Sequence, residues 1–419
     1  MKRRIRGLVG ALALAAFALP MTTANAQQPP VKIGFGMALS GGLAAGGKAA
    51  LLVYQIWAEE VNARGGLLGR KVELVYYDDQ SNPATVPGIY TKLLDVDKVD
   101  LVLSGYATVL TAAAMPIIIQ RNKLFLSLFA LGANTQFEYP RYFQIQPNGP
   151  DPKPAFSEGF FATAAKLNPK PKTVAMAGAD AEFSVNAMEG ARENIKKMGF
   201  QIVYDKTYPP NTIDFTPIVR AMKATNPDLF FIASYPPDSA GMIRAVNEVG
   251  VKATMIGGNM VGLQFAALKG QFGQLLNGWV NYDYFVPAKT MQFAGMDEFL
   301  KKYRERAASA GVDLLGLYIP PYAYAEMQIL EAAVKGVGSF DDAKLADYIR
   351  TNSFDTIVGK LTFGRYGEWA KSRILMMQFH GLKGNDLEQF KDDSHSTILF
   401  PDEFKTGDVV VPFDSAKNK

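Results

Sequence analysis

The hydrophobic positions of this chain switch repeatedly between a period of two and a period near 3.6. Val31–Met37 reads as a strand, and Leu39-Ser40-Gly41-Gly42-Leu43 as its turn. Across 48–62 apolar residues recur at helical spacing (Ala49, Leu52, Val53, Ile56, Val61), and glycines within 63–70 end that helix. Residues 72–76 form the next strand. The loop 78–83 carries helix-capping residue types ahead of a helix at 84–94. Leu101–Leu103 and 124–128 are further apolar strands, with an alanine-rich helix from Thr108 between them. Such a βαβα rhythm predicts a parallel, right-handed sheet covered on both faces.

The rhythm breaks at 146–154, where four prolines fall in nine residues, and this reads as a crossing between domains. It then restarts. Helices are predicted at 156–167, 185–198, 216–223 and 240–249. Each leads to a strand, at 173–176, 201–208, 229–232 and 254–257. Residues 278–286 read as a second extended crossing, rich in Tyr282, Tyr284 and Phe285. Helices follow at 293–308, 322–334 and 343–351. Residues 356–363 and 374–380 read as a hairpin-like pair around Gly364-Arg365-Tyr366-Gly367, and the tail from Lys405 as loosely held.

One stretch organises the first half. Residues 99–116 run as a buried strand, break at Ser104-Gly105 and restart as a helix from about Thr108. The first N–H groups of a helix lack internal partners and its dipole is positive there, so this turn suits an anion or polar head group. The next βα turn, 129–135, lies beside it at the carboxyl ends of parallel strands, where open α/β sheets place ligands. An ordinary βα loop with no ligand fits the stretch equally well.

Length and composition narrow the picture. A chain of 419 residues is too long for one core, so two domains are expected. Lys2, Arg3, Arg4 and Arg6 precede an apolar run from Leu8 to Leu19, then Ala24-Asn25-Ala26. That is a secretory signal peptide cut after Ala26, and its apolar run is too short to span a bilayer. The formal charge of +4 comes from 44 basic and 40 acidic residues. Removing the signal's four basic residues leaves 40 of each sign, so no basic excess argues for nucleic acid. With no cysteine, thiol catalysis, disulfides and Cys-based metal sites are all excluded. The lipidated cysteine of a bacterial lipoprotein is missing too, which points to a free periplasmic protein.

Catalytic chemistry finds little support. The two histidines, His380 and His395, sit far from any metal spacing or serine elbow, and read as surface or strand residues. Gly41-Gly42 and Gly46-Gly47 follow the first strand without the G-x-G-x-x-G spacing of a dinucleotide site. Asp78-Asp79 reads as a solvated capping loop rather than a metal site, and Glu59-Glu60 as a solvated helix face. For Tyr282, Tyr284 and Phe285, hinge packing and a ligand wall both fit.

The run Glu59-Glu60-Val61-Asn62-Ala63-Arg64-Gly65-Gly66-Leu67-Leu68-Gly69-Arg70-Lys71-Val72-Glu73-Leu74 carries a family resemblance. So do Tyr77-Asp78-Asp79, Asn82-Pro83, Asn226-Pro227-Asp228, Tyr235-Pro236-Pro237-Asp238 and Gly250. Together they resemble the periplasmic substrate-binding proteins of ABC transporters, branched-chain amino acid type, over nearly all of the chain after the signal. The resemblance implies an α/β, type I periplasmic binding protein fold: two Rossmann-like lobes with parallel sheets, joined by three hinge crossings. Lobe I is expected at 27–147 and 279–356, and lobe II at 148–278 and 357–419. It further implies a non-enzymatic, monomeric binding component that closes on a small-molecule ligand and delivers it to inner-membrane permease subunits. No cofactor, metal or nucleic acid is implied. Closure and affinity are linked, because the ligand stabilises the state it touches on both sides.

The pocket positions implied by the resemblance depart from the amino acid binders. The serines of the third βα turn, which hold the α-carboxylate, become Tyr106-Ala107-Thr108-Val109, where Thr108 keeps a hydroxyl and the helix start persists. The threonine that helps to hold the ammonium becomes Leu131, with Phe129 two residues before it. A first-lobe tyrosine becomes Gly46, and a second-lobe tyrosine becomes Phe183, while Tyr235 is kept. The acid that pairs with the ammonium becomes Asn259. A buried ammonium without a partner costs several kcal/mol. The set therefore predicts a hydrophobic or aromatic carboxylate, its acid end at the amides of 107–109 and its ring among the aromatic residues. The alternatives are a branched-chain or aromatic amino acid binder and, from another class, a ligand-sensing protein of the same fold.

Overall fold

The computed structural model describes Met1 and residues 28–417. The expected export segment and its cleavage site lie, Met1 apart, outside the described residues.

The first block builds a sheet from β1 (Val31–Met37), α1 (Ala44–Ala63), β2 (Val72–Asp78), α2 (Val86–Asp95), β3 (Leu101–Leu103), α3 (Thr108–Gln120), β4 (Phe125–Ser127) and β5 (Tyr142–Gln144). Its five strands run β2-β1-β3-β4-β5, all parallel. Central strands are buried along their whole length, which is why their sequences are continuously apolar. The three-residue β5 is too short to show a period, and sequence reading passes over it.

The second block runs α4 (Pro152–Ala165), β6 (Thr173–Ala179), α5 (Glu182–Met198), β7 (Gln201–Tyr208), α6 (Thr216–Ala224), β8 (Leu229–Ser234), α7 (Pro236–Val249), β9 (Met255–Met260), α8 (Ala266–Phe272) and β10 (Val280–Asp283). The chain then returns to the first sheet. There α9 (Met296–Ala310) and α10 (Ile319–Val337) pack on α1, and α11 (Asp342–Thr351) packs on α10. A hairpin of β11 (Phe354–Thr356) and β12 (Gly359–Leu361) follows. Finally β13 (Leu375–Phe379) pairs antiparallel with β10, and β14 (Ser396–Phe400) antiparallel with β13, giving a seven-stranded sheet β14-β13-β10-β9-β8-β6-β7. The chain thus passes between the two sheets at 145–151, 284–295 and 362–374. Two sheet-centred α/β lobes joined by three crossings are the architecture expected from sequence.

Several local expectations need correction. Residues 280–283 are not crossing but strand, so the passage begins after Asp283 rather than at Gly278 or residue 279. Gly257 permits this pairing: at φ +149° a Cβ there would lie 1.6 Å from the Val280 carbonyl oxygen. The hairpin is 354–361, whereas 375–379 pairs with β10 and β14, because the apolar run Leu375-Met376-Met377 belongs in the second core. The tail is docked. Gln378 exchanges two hydrogen bonds with the Val410 backbone (2.8 and 2.9 Å), and Phe413, which opens α12 (Phe413–Lys417), packs edge-on against Trp279. Glu59 and Glu60 pair with Arg306 (2.7 Å) and Lys302 (3.0 Å), tying α1 to α9.

Candidate ligand-binding cleft

Two βα turns of the first sheet are stitched together. Tyr106 and Phe129 form a backbone bridge, and the Leu128 N–H donates to Ser104 Oγ at 3.0 Å. The Leu131 N–H donates to Thr108 Oγ1 at 3.0 Å. Between them Ala107, the residue just before α3, is held at φ +95°, ψ 146°. A residue with a Cβ is strained there, by about 1–3 kcal/mol, and such strain gathers at functional turns.

These turns face the second lobe across a cavity of about 20 Å³, lined by Tyr106, Ala107, Thr108, Phe129, Gln146, Phe183, Tyr235, Val261 and Tyr318. The lining shows a common origin. Ala107 precedes α3, Phe183 lies in the first turn of α5, Tyr235 precedes α7 and Tyr318 precedes α10. Four helices of 13, 17, 14 and 19 residues thus bring their N-terminal ends to one small space. Each end favours an anion by about 0.3–1 kcal/mol, and by more where partly buried. The acids in the first turns of α5 and α7, Glu182 and Asp238, do not line the cavity. Asp238 is buried beside Tyr208, and burial raises its carboxyl to about 6. No lining side chain carries a charge. Burial also pushes the Tyr106, Tyr235 and Tyr318 hydroxyls up, so they stay protonated.

Six of the nine residues chosen from sequence meet here: Tyr106, Ala107, Thr108, Phe129, Phe183 and Tyr235. Three do not. Leu131 is buried, and its carbonyl accepts from Asn186 Nδ2 of α5 at 2.8 Å, so it joins the lobes through its backbone. Asn259 sits inside β9 with Nδ2 donating to the Phe156 carbonyl at 2.8 Å. Val109 is half-buried and packs against the core. Gly46 opens no space in the cleft, because the Tyr106 ring occupies the room a side chain there would take.

Sequence reading missed Gln146, Val261 and Tyr318. Gln146 was hidden in the proline-rich crossing. The Pro320-Pro321 pair after Tyr318 was a usable signal for a helix start. Tyr282, in β10, and Tyr284, in the second crossing, pack beside the cavity without lining it. Both are buried, Tyr284 stacks on Tyr318 (5.3 Å between centroids), and its ring meets Phe129 edge-on. Phe285 lines a separate cavity with Lys269 and Asp283. Asp78 serves the β1 turn, accepting from the Leu39, Ser40 and Gln80 N–H groups and from the Ser40 hydroxyl. Among the described residues no cluster of His, Asp and Glu is placed to hold a metal.

A cleft between two α/β lobes, floored by βα turns, is what comparison with known proteins also finds. The family described as periplasmic binding protein matches residues 30–383. This chain belongs to that family. Membership makes it a solute-binding protein rather than an enzyme. It is 24% identical to the Leu/Ile/Val-binding protein of Escherichia coli K12 over 345 residues, which is 81% of this chain and 88% of that protein. A leucine binding protein from Thermotoga maritima superimposes with a TM-score of 0.72 at 21% identity, covering 84% of this chain and 99% of the other. A solute binding protein of an ABC transporter from Rhodopseudomonas palustris, solved with 3,4-dihydroxybenzoic acid, superimposes at 0.70 with 19% identity, covering 85% and 94%.

Proposed function

We propose that this binding protein closes its lobes on a small hydrophobic or aromatic carboxylate in the periplasm and delivers it to an ABC permease. The observation that carries the reading is the convergence of four helix N-termini on a cavity without a charged side chain. A carboxylate gains from the positive ends of these helices, most at α3 and α5, whose first turns contain no proline, and an ammonium loses. Tyr106, Ala107, Thr108, Phe129, Phe183 and Tyr235 form the ligand site, together with Gln146, Val261 and Tyr318. The acid rests against the α3 amides, and its apolar body rests among Phe129, Phe183 and the tyrosines. About 20 Å³ admits one water-sized group, so the acid enters with the lobes apart and holds them wider than they stand here. Lobe I comprises the chain to 147 and from 284 to 361, and lobe II the remainder. The chain is exported by residues 1–26, and the mature protein starts at Gln27.

The aromatic acid bound by the Rhodopseudomonas protein supports this ligand class. The name of the Escherichia coli relative favours a second reading, a branched-chain amino acid. A thermal-shift screen of the mature protein separates the two. A carboxylate at about 100 times its dissociation constant stabilises by roughly 2.7 kcal/mol. Shifts with aromatic and aliphatic carboxylates but not with the amino acids are the expected result. Shifts with leucine, isoleucine or valine alone would overturn the carboxylate reading.

A further inference from the structure

The polar groups that reach the cleft can be sorted by whether they give or take a hydrogen bond. Gln146 is 3% exposed and lines the cavity. Its Oε1 accepts from Gln144 Nε2 at 2.8 Å and from Asn148 Nδ2 at 3.1 Å, which engages both lone pairs. The Gln144 amide is oriented in turn by the Tyr142 hydroxyl, which donates to its Oε1 at 2.8 Å. In this arrangement the oxygen end of the Gln146 amide faces Gln144 and Asn148 and the nitrogen end faces Tyr284. Its Nε2 donates one hydrogen to the Tyr284 hydroxyl, and the other is left for the cavity. Gln146 is thus a donor toward a ligand and not an acceptor.

The neighbouring hydroxyls also have protons to give. Thr108 Oγ1 accepts the Leu131 N–H, leaving its own proton to give. The Tyr235 hydroxyl accepts the Phe183 N–H at 3.1 Å and likewise keeps a proton to give. The Tyr318 hydroxyl is occupied with Tyr282 at 2.9 Å and interacts with Tyr106. The opening amides of α3 donate as well.

We infer that the ligand's polar end carries acceptor oxygens only, a carboxylate with an adjacent oxo group, and that Gln146 selects this 2-oxo acid over its hydroxy and amino counterparts. The inference rests on the carboxylate reading above. An oxo oxygen takes the Gln146 hydrogen and brings none of its own. A hydroxyl brings a hydrogen that the Gln146 nitrogen cannot accept. An ammonium leaves three and adds a charge of the wrong sign. Leaving a buried polar group unpaired discriminates more strongly than shape does.

The test is calorimetric titration of the mature protein with four matched probes: phenylpyruvate, phenyllactate, 3-phenylpropionate and phenylalanine. The expected order is oxo, then hydroxy, then unsubstituted acid, with the oxo acid about tenfold tighter than the unsubstituted one and phenylalanine not binding. Gln146→Glu keeps an oxygen for Gln144 and Asn148 but removes the donor. It is expected to erase the oxo preference and improve phenylalanine relative to phenylpyruvate. Its unliganded melting curve reports folding, and if it does not fold the wild-type order decides alone. Equal affinity for oxo and unsubstituted acids, or an unchanged ratio in Gln146→Glu, overturns this inference while the carboxylate reading stands. Failure of every carboxylate overturns both.

Discussion

Gly46 and Tyr106 offer a sign test of how the cleft is packed. A Cβ on Gly46 would lie 2.4, 2.7 and 2.9 Å from Cε1, Cδ1 and Cζ of Tyr106. Restoring ordinary contact requires the ring edge to move by about 1 Å. Tyr106 is 3% exposed and packed beside Phe129, so it moves only into the cleft or against its neighbours. Overpacking of this kind costs about 1–3 kcal/mol. Alanine in place of glycine in α1 returns up to about 1 kcal/mol. Gly46→Ala is therefore expected to destabilise by about 1 kcal/mol in the wild type. In a Tyr106→Ala background the obstacle is gone, and the same change is expected to stabilise by up to about 1 kcal/mol. The coupling between the two sites is then about 2 kcal/mol. Urea unfolding of the four proteins, followed by far-ultraviolet circular dichroism, measures it. A Gly46→Ala effect of the same sign and size in both backgrounds would refute the packing argument.

Two further outcomes follow from buried groups outside the cleft. Glu326 of α10 is fully buried against the Tyr54 hydroxyl, and burial raises its carboxyl from 4.5 to about 8. The folded state therefore holds a proton that the unfolded state releases above pH 4.5, so this residue lowers stability as pH rises from about 4.5 to 8. Glu326→Gln is expected to gain on the wild type across that window, by up to about 5 kcal/mol, and melting curves that run parallel with pH would contradict this. Phe413 is 1% exposed with its ring 5.8 Å from that of Trp279. Phe413→Ala is expected to destabilise by about 3 kcal/mol and to shift the Trp279 emission toward the red, and an unchanged melting point would show the tail to be dispensable.

Much of the fold was legible because its elements are long and periodic. The helices at 44–63, 182–198 and 319–337 each repeat an apolar face over four turns or more, and the central strands are uninterrupted apolar runs. What escaped is short or set by distant partners. β5 has three residues, β14 is recognisable only beside β13, and Val280–Asp283 counts as strand only because Gly257 lets it approach. The site divided along the same line. Residues at the starts of α3, α5 and α7 were found, since caps and turns are local chemistry, although Tyr318 at the start of α10 was not. Leu131 and Asn259 were misplaced, since which way a loop or strand residue faces depends on elements far away in sequence.

The sequence alone determined the alternation of strands and helices, the proline-rich break and the family, because each is carried by neighbouring residues or by a contiguous motif. Only the tertiary structure decided that α3, α5, α7 and α10 aim their N-termini at one cavity, and that Tyr106 fills the room beside Gly46. The hydrogen-bonded row of Tyr142, Gln144, Gln146 and Tyr284 was assembled there too. Those groups come from both lobes and from two of the crossings, and electrostatic convergence and donor direction exist only once distant segments share a space.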